Sequence, residues 1–230
     1  MERSDSWPEK MWKMFDRLDA IDRALTLALN GSGNAFLDRI AMTATQTSTW
    51  LPLFAVLLFL VVRGNRGNWR GLLCTFAAVG LCVLLCDAFV SFVVKPLVAR
   101  PRPTHNAEIG ALVVVVNGYR GGAYGFFSSH AANTAAVATL LSLLFRRKVF
   151  TAHMFAWVVL CCWTRVYLGV HYVGDLVAGF LWGIAVGASS CWLLRRANPA
   201  ASRGCRHINV VPLVCVLWLT VVGIAVRAAF

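Results

Sequence analysis

A chain of 230 residues that is 59% hydrophobic and 14% charged, with a mean hydropathy of +0.67, is too apolar for an ordinary soluble domain and has the makeup of an integral membrane protein. The formal net charge of +12 raises nucleic-acid binding, which needs the basic residues gathered on a water-exposed face and not parcelled out between apolar runs. A disulfide scaffold is excluded: seven of the eight cysteines, Cys74, Cys82, Cys86, Cys161, Cys162, Cys191 and Cys215, lie inside apolar runs, Cys205 lies in a basic loop, no CxxC pair occurs, and all read as small packing residues.

The amino terminus, M-E-R-S-D-S-W-P-E-K, is too charged to begin a cleavable signal peptide, so the first span is expected to serve as its own targeting signal. Residues 9–29 place Met11, Phe15, Leu18, Ile21, Leu25 and Leu29 near one stripe, with Lys13, Asp16, Asp19 and Arg23 mainly elsewhere. Such a helix suits the membrane surface, because each charge carried into hydrocarbon would cost about 2.5–3.5 kcal/mol. Asn30-Gly31-Ser32-Gly33 ends it, and its Asn-Gly-Ser is also a glycosylation sequon, a pattern too common to carry weight. Residues 1–40 are therefore expected to form an amphipathic interfacial segment and residues 41–230 a transmembrane domain.

Residues 41–62 contain no charge, and their 22 positions suffice to cross a hydrocarbon core of about 30 Å. Further spans are expected at 71–94, apolar except for Asp87, and at 128–145, 149–163, 173–194 and 208–226, whereas 111–116 is too short to cross. The fold class is thus all-α, a polytopic bundle of about six spans. The loops after the first, third and fifth spans hold ten of the 22 basic residues: Arg63, Arg66, Arg70, Arg146, Arg147, Lys148, Arg195, Arg196, Arg203 and Arg206. By the positive-inside rule that side is cytoplasmic, and the charge is explained without nucleic acid. An even span count puts both termini together on the opposite side.

Three segments on that opposite side carry charge that topology does not require. They are K-P-L-V-A-R-P-R-P at 95–103, G-F-F-S-S-H at 125–130 and T-R-V-Y-L-G-V-H-Y-V-G-D at 164–175. An enzyme attacking a phosphate ester must neutralise the nonbridging oxygens, supply a nucleophile and protonate the leaving oxygen. Lys95, Arg102 and Arg165 suit the first task, and His171 the second, with Asp175 one helical turn on to fix its tautomer. His130 remains for the leaving group, while Ser128 and Ser129 open a helix whose amides can face an anion.

These segments resemble the type 2 phosphatidic acid phosphatase superfamily, whose motifs are Lys, six residues, Arg-Pro; then Pro-Ser-Gly-His; then Ser-Arg, five residues, His, three residues, Asp. Lys95 through Arg102-Pro103 match the first motif. Ser128 and His130 match the second, with Phe127 for proline and Ser129 for glycine, and Arg165, His171 and Asp175 match the third, with Thr164 for serine. The resemblance spans roughly residues 41–195. It implies a transiently phosphorylated His171 partnered by Asp175, His130 as general acid, and no metal or other cofactor. It implies a lipid phosphate or diphosphate substrate reached from the outer leaflet, in a bacterial inner membrane with the site facing the periplasm. Undecaprenyl diphosphate is the first expectation, with lipid A and phosphatidylglycerol phosphate as alternatives. A phosphotransferase would use the same residues, and an anionic-lipid transporter or channel would need only the cations.

Blander readings stand beside these. Lys95 and Arg165 are also placed as boundary snorkelers, and His171 with Asp175 as a helix-capping pair. Asp87 either orients the basic cluster or meets a neighbouring helix, and Arg100 either touches a headgroup or is solvated. Tyr124, Phe126 and Phe127 line a lipid entrance or are interfacial aromatics. His153 and His207 read as structural, and His105 as substrate-facing or solvated.

Overall fold

The computed structural model describes residues 7–31 and 33–230, and of Ser202 the backbone alone. Residues 1–6, on which the signal-peptide reading partly rests, and Ser32 of the sequon lie outside the described residues. Asn30 of that sequon is buried, and its amide is engaged by Val114 and by Tyr167 O.

The described chain folds as helices α1 (Trp7–Leu29), α2 (Ala35–Ala44), α3 (Leu51–Gly64), α4 (Trp69–Val98), α5 (Ser129–Phe145), α6 (Lys148–Tyr167), α7 (Val173–Ala197), α8 (Pro199–Cys205) and α9 (Val211–Ala229). Five segments are long and apolar enough to cross a membrane: Thr47–Gly64, Trp69–Val98, Lys148–Tyr167, Val173–Ala197 and Val211–Ala229. The sixth expected span, α5, has 17 residues, of which twelve are buried. It is the central helix, and at about 1.5 Å per residue it rises some 25 Å inside a jacket of longer neighbours.

Several boundaries differ from the expected ones for local reasons. Residues 41–44 belong to α2 and not to the first span: the carbonyls of Thr43 and Ala44 accept Thr49 Oγ1 at 2.6 Å and Trp50 Nε1 at 2.9 Å. Gln46 is extended, so the helix restarts through a 3₁₀ turn at Thr47–Trp50. In α4 the stretches Leu84–Ala88 and Val90–Val94 are π-helical, and the Leu85 carbonyl accepts the indole of Trp182 at 3.1 Å. The last span begins at Val211, with Pro212 in its first turn where its missing N–H costs nothing.

The tightest packing joins α5 to α7. Glycine recurs every fourth residue on α7, and a Cβ at Gly179, Gly183 or Gly187 would stand 2.5, 2.3 or 2.4 Å from the carbonyl oxygens of Ser128, Ala132 and Ala136. The opposing face of α5 is itself alanine-rich, so the two backbones touch in the small-residue manner that substitutes for hydrophobic driving force between membrane helices.

The basic connections gather at one end of the bundle, where Arg195 Nη2 donates to Leu143 O at 2.6 Å and Asn68 Nδ2 to Asn198 Oδ1 at 3.4 Å. Cys205, expected in a loop, is instead buried on α8 against Gly64. All eight cysteines are free thiols.

At the other end lies α1, oriented against the rule for soluble amphipathic helices. Its apolar residues Met11, Phe15, Leu18, Ile21, Leu25 and Leu29 are exposed. Its polar side faces the protein: Asp22 Oδ1 accepts Gly174 N at 2.7 Å and Thr26 Oγ1 accepts Val173 N at 3.2 Å. Both acceptors satisfy amides at the start of α7 that have no intrahelical partner, so α1 caps α7 from outside.

Candidate active site

The long connection between α4 and α5 brings the first two charged segments together. Ala99, at φ 50°, ends α4 four residues past Lys95. The chain then pairs with its own return: Arg102 N donates to Ala123 O at 3.1 Å and Gly125 N to Arg100 O at 2.9 Å. Arg102 is held by Tyr124 O and Val170 O, at 3.1 and 3.3 Å. Ser128 N donates to Asp175 O at 3.1 Å, which fixes the start of α5 against the start of α7. Ser128 Oγ accepts Ala131 N as the cap of α5, and Ser129 Oγ accepts Lys95 Nζ at 3.0 Å.

The third segment is partly helical. Thr164 to Tyr167 complete α6, putting the Arg165 cation in its last turn, near the negative end of the helix dipole. Gly169, at φ +67°, stops the helix, and residues 168–172 turn the chain into α7. His171 sits in this turn, 1% exposed. Its Nδ1 is 3.4 Å from Asp175 Oδ2 but makes no well-formed hydrogen bond. Asp175 Oδ2 also accepts Tyr172 N at 3.1 Å, so the carboxylate both caps α7 and faces the imidazole.

Lys95, Arg102 and Arg165 lie within electrostatic reach of one another. None of the three forms an ion pair with a carboxylate among the described residues. Arg165 is 3% exposed, its Nη1 bonds Thr45 Oγ1 and Tyr119 OH, and its Nε is buried without a partner. Gathering three cations in a largely buried setting, with Asp87 and Asp175 acting on them only from a distance, is costly unless an anion completes the site. Burial first, then the charges of Arg102, Arg165 and Lys95, push the His171 imidazole well below its ordinary range, so it is neutral near pH 7, the form a nucleophile needs. His130 stands in the same field, and its ring makes no hydrogen bond to protein among the described residues.

Next to this site, joined to it by Thr45, which bonds Arg165 Nη1, a cavity of about 600 Å³ opens between α3, α4, α5 and α6. Its walls are mostly apolar, including Trp50, Phe54, Leu57, Val79 and Trp157, and His130 lines it together with Thr164. A mostly apolar cavity with a few convergent polar groups at one end is the usual form of a ligand site.

A family model described as the PAP2 superfamily matches residues 71–200. The chain belongs to the PAP2 superfamily. It is 36% identical over 181 residues, 78% of each chain, to a lipid A 4'-phosphatase of Bacteroides thetaiotaomicron. To a lipid A 4'-phosphatase of Porphyromonas gingivalis it is 35% identical over 167 residues, 73% of this chain and 70% of the relative. Among solved structures it shares its fold with a PAP2-type phosphatidylglycerolphosphate phosphatase from Bacillus subtilis, at TM-score 0.59 and 22% identity over 78% of this chain and 87% of that one. Aquifex aeolicus LpxE gives 0.53 and 24% over 73% and 92%. This PAP2 protein is an integral membrane lipid phosphatase, and the transporter and channel readings fall away.

Of the other candidate residues, some depart from expectation and some meet it. Arg100 is neither solvated nor free for a headgroup: it bonds Asp175, Asp22 and Asp19. Asp87 lines the cavity within electrostatic reach of Lys95, in keeping with the reading that it orients the basic cluster. Phe127 is buried against Trp182, at 5.9 Å between ring centroids, while Tyr124 is exposed. His105 is exposed beside Thr104 Oγ1, and His153 bonds the Val149 carbonyl of its own helix. The glycine stripe of α7 was missed, although its four-residue repeat is plain in the sequence.

Proposed function

We propose that this PAP2 enzyme removes a phosphate monoester from a phosphorylated, acylated sugar lipid of the lipid A type, by way of a phosphohistidine on His171. The observation that carries the chemistry is the trio of Lys95, Arg102 and Arg165, free of ion pairs with carboxylates among the described residues, around a neutral His171, with His130 and Thr45 leading from them into a chain-sized apolar cavity. The cations and Ser129 take the nonbridging oxygens, and Ser128 holds the turn that aims the α5 amides at them. His171 attacks phosphorus, Asp175 stabilises the resulting imidazolium, and His130, at the cavity wall, protonates the departing oxygen. Water then cleaves the phosphohistidine, with His130 taking its proton. No metal is needed in this scheme, because the three cations carry the charge compensation. Activity is therefore expected to persist in excess chelator, and loss restored by a divalent ion would sink this part of the scheme.

For the substrate, the two relatives favour the lipid A alternative over undecaprenyl diphosphate. The cavity supports the same choice. Asn133 Oδ1, in the lining, is buried with no partner among the described residues, and Asp87 adds a carboxylate to the same cavity within electrostatic reach of Lys95. A buried unpaired acceptor in an apolar cavity is costly and, with a carboxylate nearby, calls for a ligand bearing N–H or O–H donors close to its phosphate. An acylated amino sugar has such donors, and a polyprenyl chain has none.

The test is free-phosphate release in detergent, without any acceptor lipid, from a panel of lipid A, undecaprenyl diphosphate and phosphatidylglycerol phosphate. Lipid A is expected to have the highest kcat/KM, and a preference for the polyprenyl substrate would overturn the assignment. Asn133→Leu is expected to lower kcat/KM for lipid A by roughly tenfold, the worth of one or two polar contacts, and to spare a diacylglycerol phosphate. Equal losses on both would count against the cavity's role. As the site for an envelope lipid, it is placed on the periplasmic face of the inner membrane.

A further inference from the structure

Arg100 fills one of the six variable positions of the first motif, yet it makes the densest polar contacts near the site. Its Nη1 donates to Asp175 Oδ1 at 2.8 Å, and its Nη2 to Asp22 Oδ2 at 2.9 Å and Asp19 Oδ1 at 3.0 Å. Its guanidinium lies 3.9 Å over the Tyr172 ring. A planar fork stacked on an aromatic face has little freedom, so it fixes the plane of any carboxylate it grips. Asp175 thus has one oxygen set by Arg100 and the other turned to His171 and Tyr172 N.

The grip has an electrostatic drawback. A cation on Asp175 weakens the carboxylate's hold on an imidazolium at His171, and Arg102 acts in the same direction. Asp22 and Asp19 on α1 offset part of that cation, and Asp19 is in turn paired with Arg23, which also meets Glu108. The other groups facing the His171–Asp175 pair are Lys95, Arg165, His130, Tyr172 and the Gly125 backbone.

We propose that Arg100 is a positioning residue for the Asp175–His171 pair, and that α1, through Asp22, sets how strongly Asp175 supports the imidazolium. The inference rests on His171 being the nucleophile, and it gives α1 a part in the reaction beyond anchoring.

The measurement is kcat, KM and the acid limb of kcat/KM for purified full-length variants. Substrate ionisation is common to all of them, so differences between limbs belong to the enzyme. Arg100→Gln removes a cation near His171, so the imidazolium gains and the limb moves to higher pH. Asp22→Asn leaves Arg100 uncompensated, so the limb moves to lower pH. In the double variant the Asp22 change has no further effect, because it acts through Arg100. Arg100→Gln is expected to lower kcat by on the order of tenfold with KM within about twofold, since misorientation affects the reacting step more than binding. Arg100→Lys keeps the charge without the fork, so its limb stays near wild type while kcat falls. Should Arg100→Gln fail to fold, Asp22→Asn, which leaves the Arg100–Asp175 contact intact, decides the matter alone. Static limbs, or single-variant limbs moving in the same direction, would overturn the proposal. His171→Ala with undiminished turnover would instead overturn the reading beneath it, so the two failures are separable.

Discussion

Replacing His171 by alanine is expected to lower phosphate release by on the order of 10³-fold or more, while the protein still inserts and folds. The imidazole is buried beside Asp175 and the Gly125 backbone, but its Nδ1 makes no well-formed hydrogen bond to protein, and without it Asp175 still holds Arg100 and Tyr172 N. What is lost is the one group placed to form a covalent bond to phosphorus. The decisive readout is a chemical quench with substrate labelled in the phosphate. Wild-type protein is expected to retain label that survives base and is released by acid, as phosphohistidine does, and the variant to retain none. Label on the variant would move the nucleophile elsewhere. The pH dependence follows from the same environment: because the neighbouring cations and burial lower the His171 pKa, the neutral form persists as pH falls below the ordinary value of about 6.5. The acid limb of kcat/KM is therefore expected below that value.

The second large effect is structural. Gly183→Ile is expected to abolish activity and to lower the unfolding temperature in detergent sharply. A Cβ there meets the Ala132 carbonyl at 2.3 Å and the Ala135 side chain at 2.8 Å. Backbone on both sides cannot yield locally, so the helices must separate. Overpacking of this kind costs roughly 1–3 kcal/mol even where side chains can adjust. Separation also pulls Ser128 away from Asp175, and with it the start of α5 from the turn that holds His171. Gly80→Ile on α4 is the control, since nothing lies within 4 Å of a Cβ at that position. It is expected to keep both activity and unfolding temperature, and an equal effect at the two sites would refute the contact as the cause.

These two residues mark what could be read from the chain and what could not. The spans were legible because long apolar runs separated by basic loops leave few other structures, and alternation of loops put residues 95–102, 128–130 and 164–175 at one end. The spacing of Arg165, His171 and Asp175 was equally plain, since a turn and a helix start make it local. The α7 glycines were visible as a period of four but carried no partner in the sequence; only the facing alanines of α5 give them meaning. Arg100 was illegible for a different reason. Its partners lie 75 to 81 positions away on two elements, and a loop arginine beside prolines looks solvated until the loop folds back. The π-helical stretches of α4 have no signature that an ordinary apolar run lacks. The orientation of α1 was missed in part: hydropathy found its stripe, but its acids turned out to hold the protein together and not merely to face water.

The external cap that α1 provides for α7 has a consequence for how the enzyme is made. Residues 22 and 26 leave the ribosome long before residues 173 and 174, yet their side chains are the acceptors for those amides. The first helix is therefore made long before its partner exists and must wait at the end of the bundle that carries the charged segments while the intervening spans are threaded. Until that late closure the start of α7 is uncapped and Arg100 has no acidic partners on α1, so a half-translated chain is a silent one. A bulky tag fused ahead of α1 that keeps it from docking on α7 would yield inserted helices without an enzyme.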